Sequence, residues 1–353
     1  MILFFPSGTR DSRPSSHLRV YEMEGELEER GFRCLVVDSR CREDVKRCFL
    51  DEAPDGTIIY IQKMGAKQIR KAHLLMHKER CTVIYDVDDQ DTGQDHFDML
   101  RFADAVVAGS TFVEEEARSF NSRVCLVHSM TDCEVYSFVD RSRKPVDMPI
   151  RIVWSEHWAN AYFEDFVEIA PALRRLQVEY NIEMVLQGFR ADDHPSLTTR
   201  PDLRGMIDQF SREVPFAEID EVMPIDEFLD RGVRRIKECD IGIMPFHAQR
   251  KGKAAQNLRS FMSVGLACVA TVGNDHDHVI RDGETGFLVG RTGDYTNTWY
   301  ELLKTLILDR EKRLQVGRAA SDDILGKFSR QRSADKVAHF LQSLGEIPDP
   351  NVA

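Results

Sequence analysis

Lys253, Gln256, Asn257 and Ser260 fall on a stretch that reads as the start of a helix, with Arg250 and Lys251 just ahead of it. The first turn of a helix has unpaired N–H groups and the positive end of its dipole, so it holds phosphate without a metal. A lysine there can pair with a diphosphate and with the charge that grows on a leaving group. The plain alternative is a solvated basic loop. Ser155-Glu156-His157-Trp158 follows an apolar strand, and such a loop borders the ligand crevice of an open parallel sheet; a packing role for the Trp and His is the alternative. Asn274-Asp275-His276-Asp277-His278 is dense in metal-ligand types. Tyr85-Asp86-Val87-Asp88-Asp89 also follows a buried strand, where an aspartate serves proton transfer or caps a loop. Ser15 and Ser16 start the first helix as N-cap types, with Arg19 one turn in.

The elements that position these groups alternate. Apolar strands are expected at Met1 to Pro6, Cys34 to Asp38, Thr57 to Gln62, Thr82 to Tyr85, Ala105 to Ala108 and Val124 to Val127, with helices between them. The alternation restarts with strands at Arg151 to Trp154, Glu183 to Leu186, Phe216 to Ile219, Ile241 to Met244, Ala267 to Ala270 and Gly286 to Val289. This pattern predicts α/β halves, each a parallel sheet covered by helices on both faces. Ser137 to Pro149, polar and with two prolines, reads as an interdomain linker. Three helices close the chain, from Tyr295, Arg310 and Ser329.

At 353 residues the chain is longer than one core usually serves. Its 42% hydrophobic and 30% charged residues are those of an ordinary globular protein. A net charge of -12 gives no general attraction to nucleic acid or anionic lipid, though a local basic patch, or a nucleobase as acceptor, stays open. Eight cysteines without a CxxC pair read as buried thiols in a reducing compartment. The amino-terminal apolar run is too short for a signal peptide, and no window approaches a spanning helix, so a cytoplasmic location is expected.

Lys253 to Val289 carries a specific resemblance. Met262 and Gly265 close a helix, Leu266 to Thr271 is an apolar run, and Val279-Ile280 leads to Asp282-Gly283-Glu284-Thr285-Gly286-Phe287-Leu288-Val289. This order resembles the nucleotide-sugar half of GT-B glycosyltransferases, in particular glycosyltransferase family four. It extends to Ile182 to Gly188 and Cys239 to Phe246 and is weaker in the first half. The resemblance implies two Rossmann-like domains with parallel sheets facing across a cleft: an acceptor domain at 1–136, the linker at 137–149, a nucleotide-sugar domain at 150–327, and a last helix from 328 crossing back to the first domain. It implies transfer from a nucleoside-diphosphate sugar, a UDP-sugar above all, to an unidentified acceptor, with retention of configuration and with no metal or other cofactor.

By the same resemblance Ser155, Glu156, Arg250, Lys253, Gln256, Asn257, Ser260, Asp275, His276 and Asp277 bind the donor. Asp88 and His157 are the catalytic candidates, and Arg19 and Asp86 contact the acceptor. The 274–278 loop then meets sugar rather than metal. Metal-binding Asp-x-Asp of GT-A enzymes and the haloacid-dehalogenase phosphatase motif compete for Asp86 to Asp88, but neither explains the second half, and Gln90 stands where the phosphatase motif has Thr. Family-four enzymes carry two glutamates eight positions apart, at places held here by Gly252 and Ser260. Lys253-Ala254-Ala255-Gln256 resembles a variant helix start found in relatives that also lack them. A catalytically silent nucleotide- or sugar-binding protein and a nucleotide-sugar epimerase are the alternatives.

Overall fold

The computed structural model describes residues 1–63, 69–89, 93–156, 164–189, 217–221, 223–246 and 252–345. The chain divides into two compact units. The first comprises Met1–Met130, Gly252–Ala254 and the chain from Phe328 onward; the second comprises Thr131–Lys251 and Ala255–Lys327.

The first unit holds β1 (Ile2–Phe5), β2 (Cys34–Val36), β3 (Ile58–Gln62), β4 (Thr82–Val87), β5 (Ala105–Ala108) and β6 (Val124–Leu126) in one parallel sheet ordered β2-β1-β3-β4-β5-β6. Both faces are covered, so its strands are apolar on successive residues rather than on alternate ones. Leu3, Phe5, Ile59, Ile61, Val83 and Tyr85 enter one core, and Ile2, Phe4, Tyr60, Ile84 and Val107 the other. The second core also takes Val20, Met23 and Leu27 together with Ala334, Val337, Ala338 and Leu341 of the last helix, Arg330–Gly345. Arg330 pairs with Glu22 and Arg30 with Asp335 at the rim of that packing.

The second unit holds β7 (Ile150–Ser155), β8 (Ile182–Phe189), β9 (Ala217–Glu221), β10 (Ile241–Met244), β11 (Ala267–Thr271) and β12 (Phe287–Val289), all parallel, ordered β12-β11-β10-β7-β8-β9. Its main core joins Ile152, Trp154, Met184, Ile243 and Val269 to Leu173, Trp299 and Leu303 of the covering helices. Helix ends follow local rules. Gly31 (φ 85°) and Gly265 (φ 82°) sit in the left-handed region and close their helices with paired bonds: Phe32 N–H to Leu27 O at 3.0 Å, and Leu266 N–H to Phe261 O at 3.1 Å.

The segment 137–149, expected as an interdomain linker, is anchored within the second unit. Arg141 is buried and donates to the carbonyl oxygens of Cys239 (2.5 Å), Val264 (2.7 Å) and Lys237 (3.0 Å). Arg310 Nη2 reaches the carbonyls of Ser142 and Lys144, both at 2.7 Å. Most of the segment is exposed, and Arg141 is its buried anchor. Burial pushes the Arg141 guanidinium below its ordinary value.

Candidate functional site

In each sheet the strand order reverses direction at one place, between β1 and β3 in the first unit and between β7 and β10 in the second. Ligands of open α/β sheets bind outside the carboxyl ends of the strands at such a place. In the second unit those ends carry Ser155-Glu156 and Pro245-Phe246. Glu156 is 6% exposed, and its N–H donates to Gln187 O at 3.2 Å, which continues the β7–β8 ladder by one residue. Asn257 Nδ2 donates to Ser155 O and to Glu156 Oε2, both at 2.9 Å. The helix Gln256–Ser263 thereby starts against the end of β7. No side chain caps its first turn, where Ala255 stands as N-cap.

The remaining donor candidates differ in what they do. Lys253 precedes the helix, after Gly252 at φ 75°, rather than lying on it. Gln256 Oε1 accepts from the buried Arg259 Nη2 at 2.9 Å. Ser260 is buried, and burial pushes the pKa of the neighbouring Tyr136 up to about 12. Ser263 Oγ donates to Tyr136 O at 2.8 Å. The place of the second family glutamate is thus held by a buried serine.

At the end of β11, Thr271 Oγ1 accepts from Phe246 N–H at 3.0 Å and lies 2.7 Å from Tyr295 Oη. Gly273 (φ 116°) and Asn274 (φ 55°) then turn the chain into the short helix His276–Val279. Asp275 and His276 are buried, whereas Asp277 and His278 are exposed. His276 Nδ1 lies 2.9 Å from Thr271 O; a carbonyl only accepts, so Nδ1 carries a proton. Gly283 (φ 78°) makes the turn in which its N–H reaches Gly286 O at 2.8 Å, and Arg281 N–H reaches Thr285 Oγ1 at 2.9 Å. Among the described residues no three His, Cys, Asp or Glu side chains converge to hold a metal ion.

In the first unit Arg19 and Asp86 are 3% and 1% exposed and pair bidentately, Nε to Oδ1 at 2.7 Å and Nη2 to Oδ2 at 2.8 Å. Tyr60 Oη also donates to Asp86 Oδ2, and Arg19 Nη1 to Val127 O at 2.8 Å. Arg19 comes from a π-helical turn, His17–Tyr21, that interrupts the first helix. Expected at the acceptor, this pair instead has its charged atoms turned on each other and holds strands to helix. Asp88, beyond the end of β4, is 5% exposed and lies 2.5 Å from Lys63 Nζ. Burial pushes its carboxyl up, but Lys63 and Arg19 outweigh it and hold the group below its ordinary value. A carboxylate so held is a weak base. Lys63, at φ 53°, also approaches Asp89 at 3.4 Å. Ser7 N–H and Ser16 Oγ both donate to the buried Gln62 side chain, at 3.1 and 2.8 Å.

Ser155, Glu156 and Asn257 therefore meet directly. Gln256 bonds within the unit, Ser260 is buried there, and His157 and Arg250 lie outside the described residues. Sequence reasoning passed over Lys63, Gln62, Tyr136 and Tyr295. Lys63 and Gln62 were open to the rule applied to Glu156, since they too end a parallel strand; Tyr136 and Tyr295 act through contacts distant in sequence and left no local signal.

Neither a known sequence family nor a curated protein matches the sequence. Solved structures do match the fold. A glycosyltransferase from Rickettsia africae ESF-5 is 12% identical over 98% of each chain with a TM-score of 0.69. Sucrose-phosphate synthase from Thermosynechococcus elongatus is 12% identical over 98% of each chain with a TM-score of 0.72. HepE from Anabaena, in complex with UDP-glucose, is 14% identical over 97% of this chain and 99% of its own, with a TM-score of 0.64. At such identities the likeness concerns the fold: this chain has the two Rossmann-like sheets of the GT-B glycosyltransferases, in one α/β chain of the same extent.

Proposed function

We propose that the protein is a cytoplasmic glycosyltransferase that moves a hexosyl group from a nucleoside-diphosphate sugar, a UDP-sugar in particular, to an acceptor held by its first unit. The observation that carries this reading is the uncapped first turn of Gln256–Ser263, set against the carboxyl end of β7 at the strand-order reversal of a GT-B sheet. Backbone N–H groups of that turn take the diphosphate without a metal, with Lys253 beside them. Asp275 and His276 take the sugar, and the anomeric configuration is retained. HepE, of the same fold, is solved with UDP and with UDP-glucose, which makes those two the first ligands to try.

The test is product analysis of UDP-glucose, UDP-galactose and UDP-N-acetylglucosamine incubated with the protein, with and without a panel of glycan, lipid and small hydroxylated acceptors. Transfer or slow donor hydrolysis, reduced in Lys253→Ala, supports the reading; an epimerised donor without any acceptor supports an epimerase. A second reading, a silent nucleotide- or sugar-binding protein, is favoured by one observation: a buried serine, Ser260, stands at the second glutamate's place. Nucleotide binding without turnover on any acceptor supports that reading.

A further inference from the structure

Phe138, Val139 and Arg141 line a cavity of about 300 Å³ together with Gly265, Leu314 and Arg318. All of these residues belong to the second unit. The volume stands at the small end of ligand sites, roughly 300–1,000 Å³, and a largely apolar lining with a few polar groups is their usual make-up. The lining is held from behind. Val139 N–H and Arg141 Nη1 both donate to Val264 O, at 3.2 and 2.7 Å. The Phe138 ring packs on Gly265, where a Cβ would stand 2.6 Å from it. Phe138 is nevertheless 42% exposed, so a ring fixed on one side by the backbone keeps apolar surface for a ligand.

The charged groups decide what kind of ligand. The Arg318 guanidinium lies over the Phe138 ring, 5.7 Å from its centroid, a cation–π contact that leaves its N–H groups unused. Among the described residues no oxygen accepts a hydrogen bond from Arg318, and no carboxylate forms an ion pair with it. Arg141, by contrast, gives its donors to the carbonyls of Val139, Lys237, Cys239 and Val264 and contributes charge alone. Asp140 is the carboxylate of the lining, and it accepts from Ser142 N–H at 2.9 Å. Arg318 and Arg141 outnumber it, and Arg143 and Arg310 lie beside the same segment. Such a place in a chain of net charge -12 favours anions, and the planar fork of an arginine matches a carboxylate or phosphate. We infer that this cavity binds a small organic anion, with a carboxylate or phosphate on Arg318 and an apolar body against Phe138 and Leu314. Gly265 closes the helix Gln256–Ser263, whose first turn lies about 12 Å away along its axis. The site is therefore separate from the proposed donor site and does not depend on that reading.

The test is saturation-transfer NMR titration of the full chain with phenyl phosphate, benzoate and the uncharged benzamide, with inorganic phosphate and UDP as competitors. Wild type, Arg318→Gln and Arg143→Gln are compared, and melting curves confirm that the variants are folded. Phenyl phosphate and benzoate are expected to bind at least about tenfold more tightly than benzamide, and Arg318→Gln to remove that difference, as loss of a charged hydrogen bond requires. Arg143→Gln, which changes an exposed charge outside the lining, should cost less than Arg318→Gln. Inorganic phosphate, without an apolar body, should displace phenyl phosphate only at far higher concentration, and UDP should not displace it. Anions bound no better than benzamide, or bound equally by wild type and Arg318→Gln, overturn the inference. Displacement by UDP also overturns it, since the probe then sits in the nucleotide site. A protein that binds phenyl phosphate through Arg318 but no nucleotide keeps this inference and loses the donor-site reading.

Discussion

Arg19 and Asp86 place a full positive and a full negative charge inside the first unit, at 3% and 1% exposure. Removing one partner strands the other, so Asp86→Asn is expected to lower stability by about 3–5 kcal/mol in urea unfolding. A loss below about 1 kcal/mol contradicts the buried-pair description. Lys63 and Asp88 make a different, pH-dependent prediction. The folded Asp88 carboxyl lies below its ordinary value, so the pair's contribution is complete above the unfolded carboxylate value and is lost as pH falls through the folded one. Burial pushes Lys63 down, but Asp88 and Asp89 outweigh it and raise the group, so the base side is lost only above the ordinary lysine range. The stability advantage of wild type over Asp88→Asn should therefore be flat from about pH 5 to about pH 9 and shrink below about pH 4. An advantage that grows on acidification contradicts this assignment.

At the scale of elements, close backbone approach sets the tolerances. A Cβ at Gly317, in the helix Arg310–Phe328, would stand 2.2 Å from Gly265 O, a backbone atom that cannot swing aside. Alanine gains about 1 kcal/mol in helix propensity, but the overlap outweighs it, and Gly317→Ala is expected to cost about 1–3 kcal/mol net, read as a lowered melting midpoint. A neutral or stabilising result contradicts the packing of that helix on the Gly265 turn. These elements were largely legible in the sequence because parallel strands buried on both faces are continuous apolar runs, as at Ile58–Gln62 and Ala267–Thr271. Boundaries set by tertiary contacts were not. The helix expected from Lys253 begins at Gln256, and helical residues 164–167 are separated by a turn at 168–169 from the helix Ala170–Glu179, where Pro171 stands at the start. Candidate site residues were legible where a strand end dictates their placement, as for Ser155 and Glu156. They were not where a distant side chain decides, as Asp86 does for Arg19.

At the scale of the whole molecule, the two parallel sheets, each of six strands among the described residues, share the fold of known GT-B glycosyltransferases, although identity is only 12–14% to the three described above. A fold of this kind is kept by apolar strands and glycine turns, which tolerate wholesale substitution elsewhere, while function resides in the few groups at the strand ends. Among the described residues no helix is long and apolar enough to cross a membrane. All eight cysteines are free thiols, and burial pushes that of Cys239 up to about 12, so it is expected to stay unmodified by iodoacetamide in the native protein at pH 8, and labelling there would contradict its burial.

The central claim is that the second unit binds a nucleoside diphosphate through the start of Gln256–Ser263. Thermal unfolding in the presence of UDP, GDP, ADP, TDP and CMP, with Lys253→Ala as control, tests it most directly. A ligand that binds only the folded state at about 100 times its Kd adds about 2.7 kcal/mol. One diphosphate should raise the wild-type midpoint, with a smaller shift in Lys253→Ala; no shift from any nucleotide at millimolar concentration would contradict the claim.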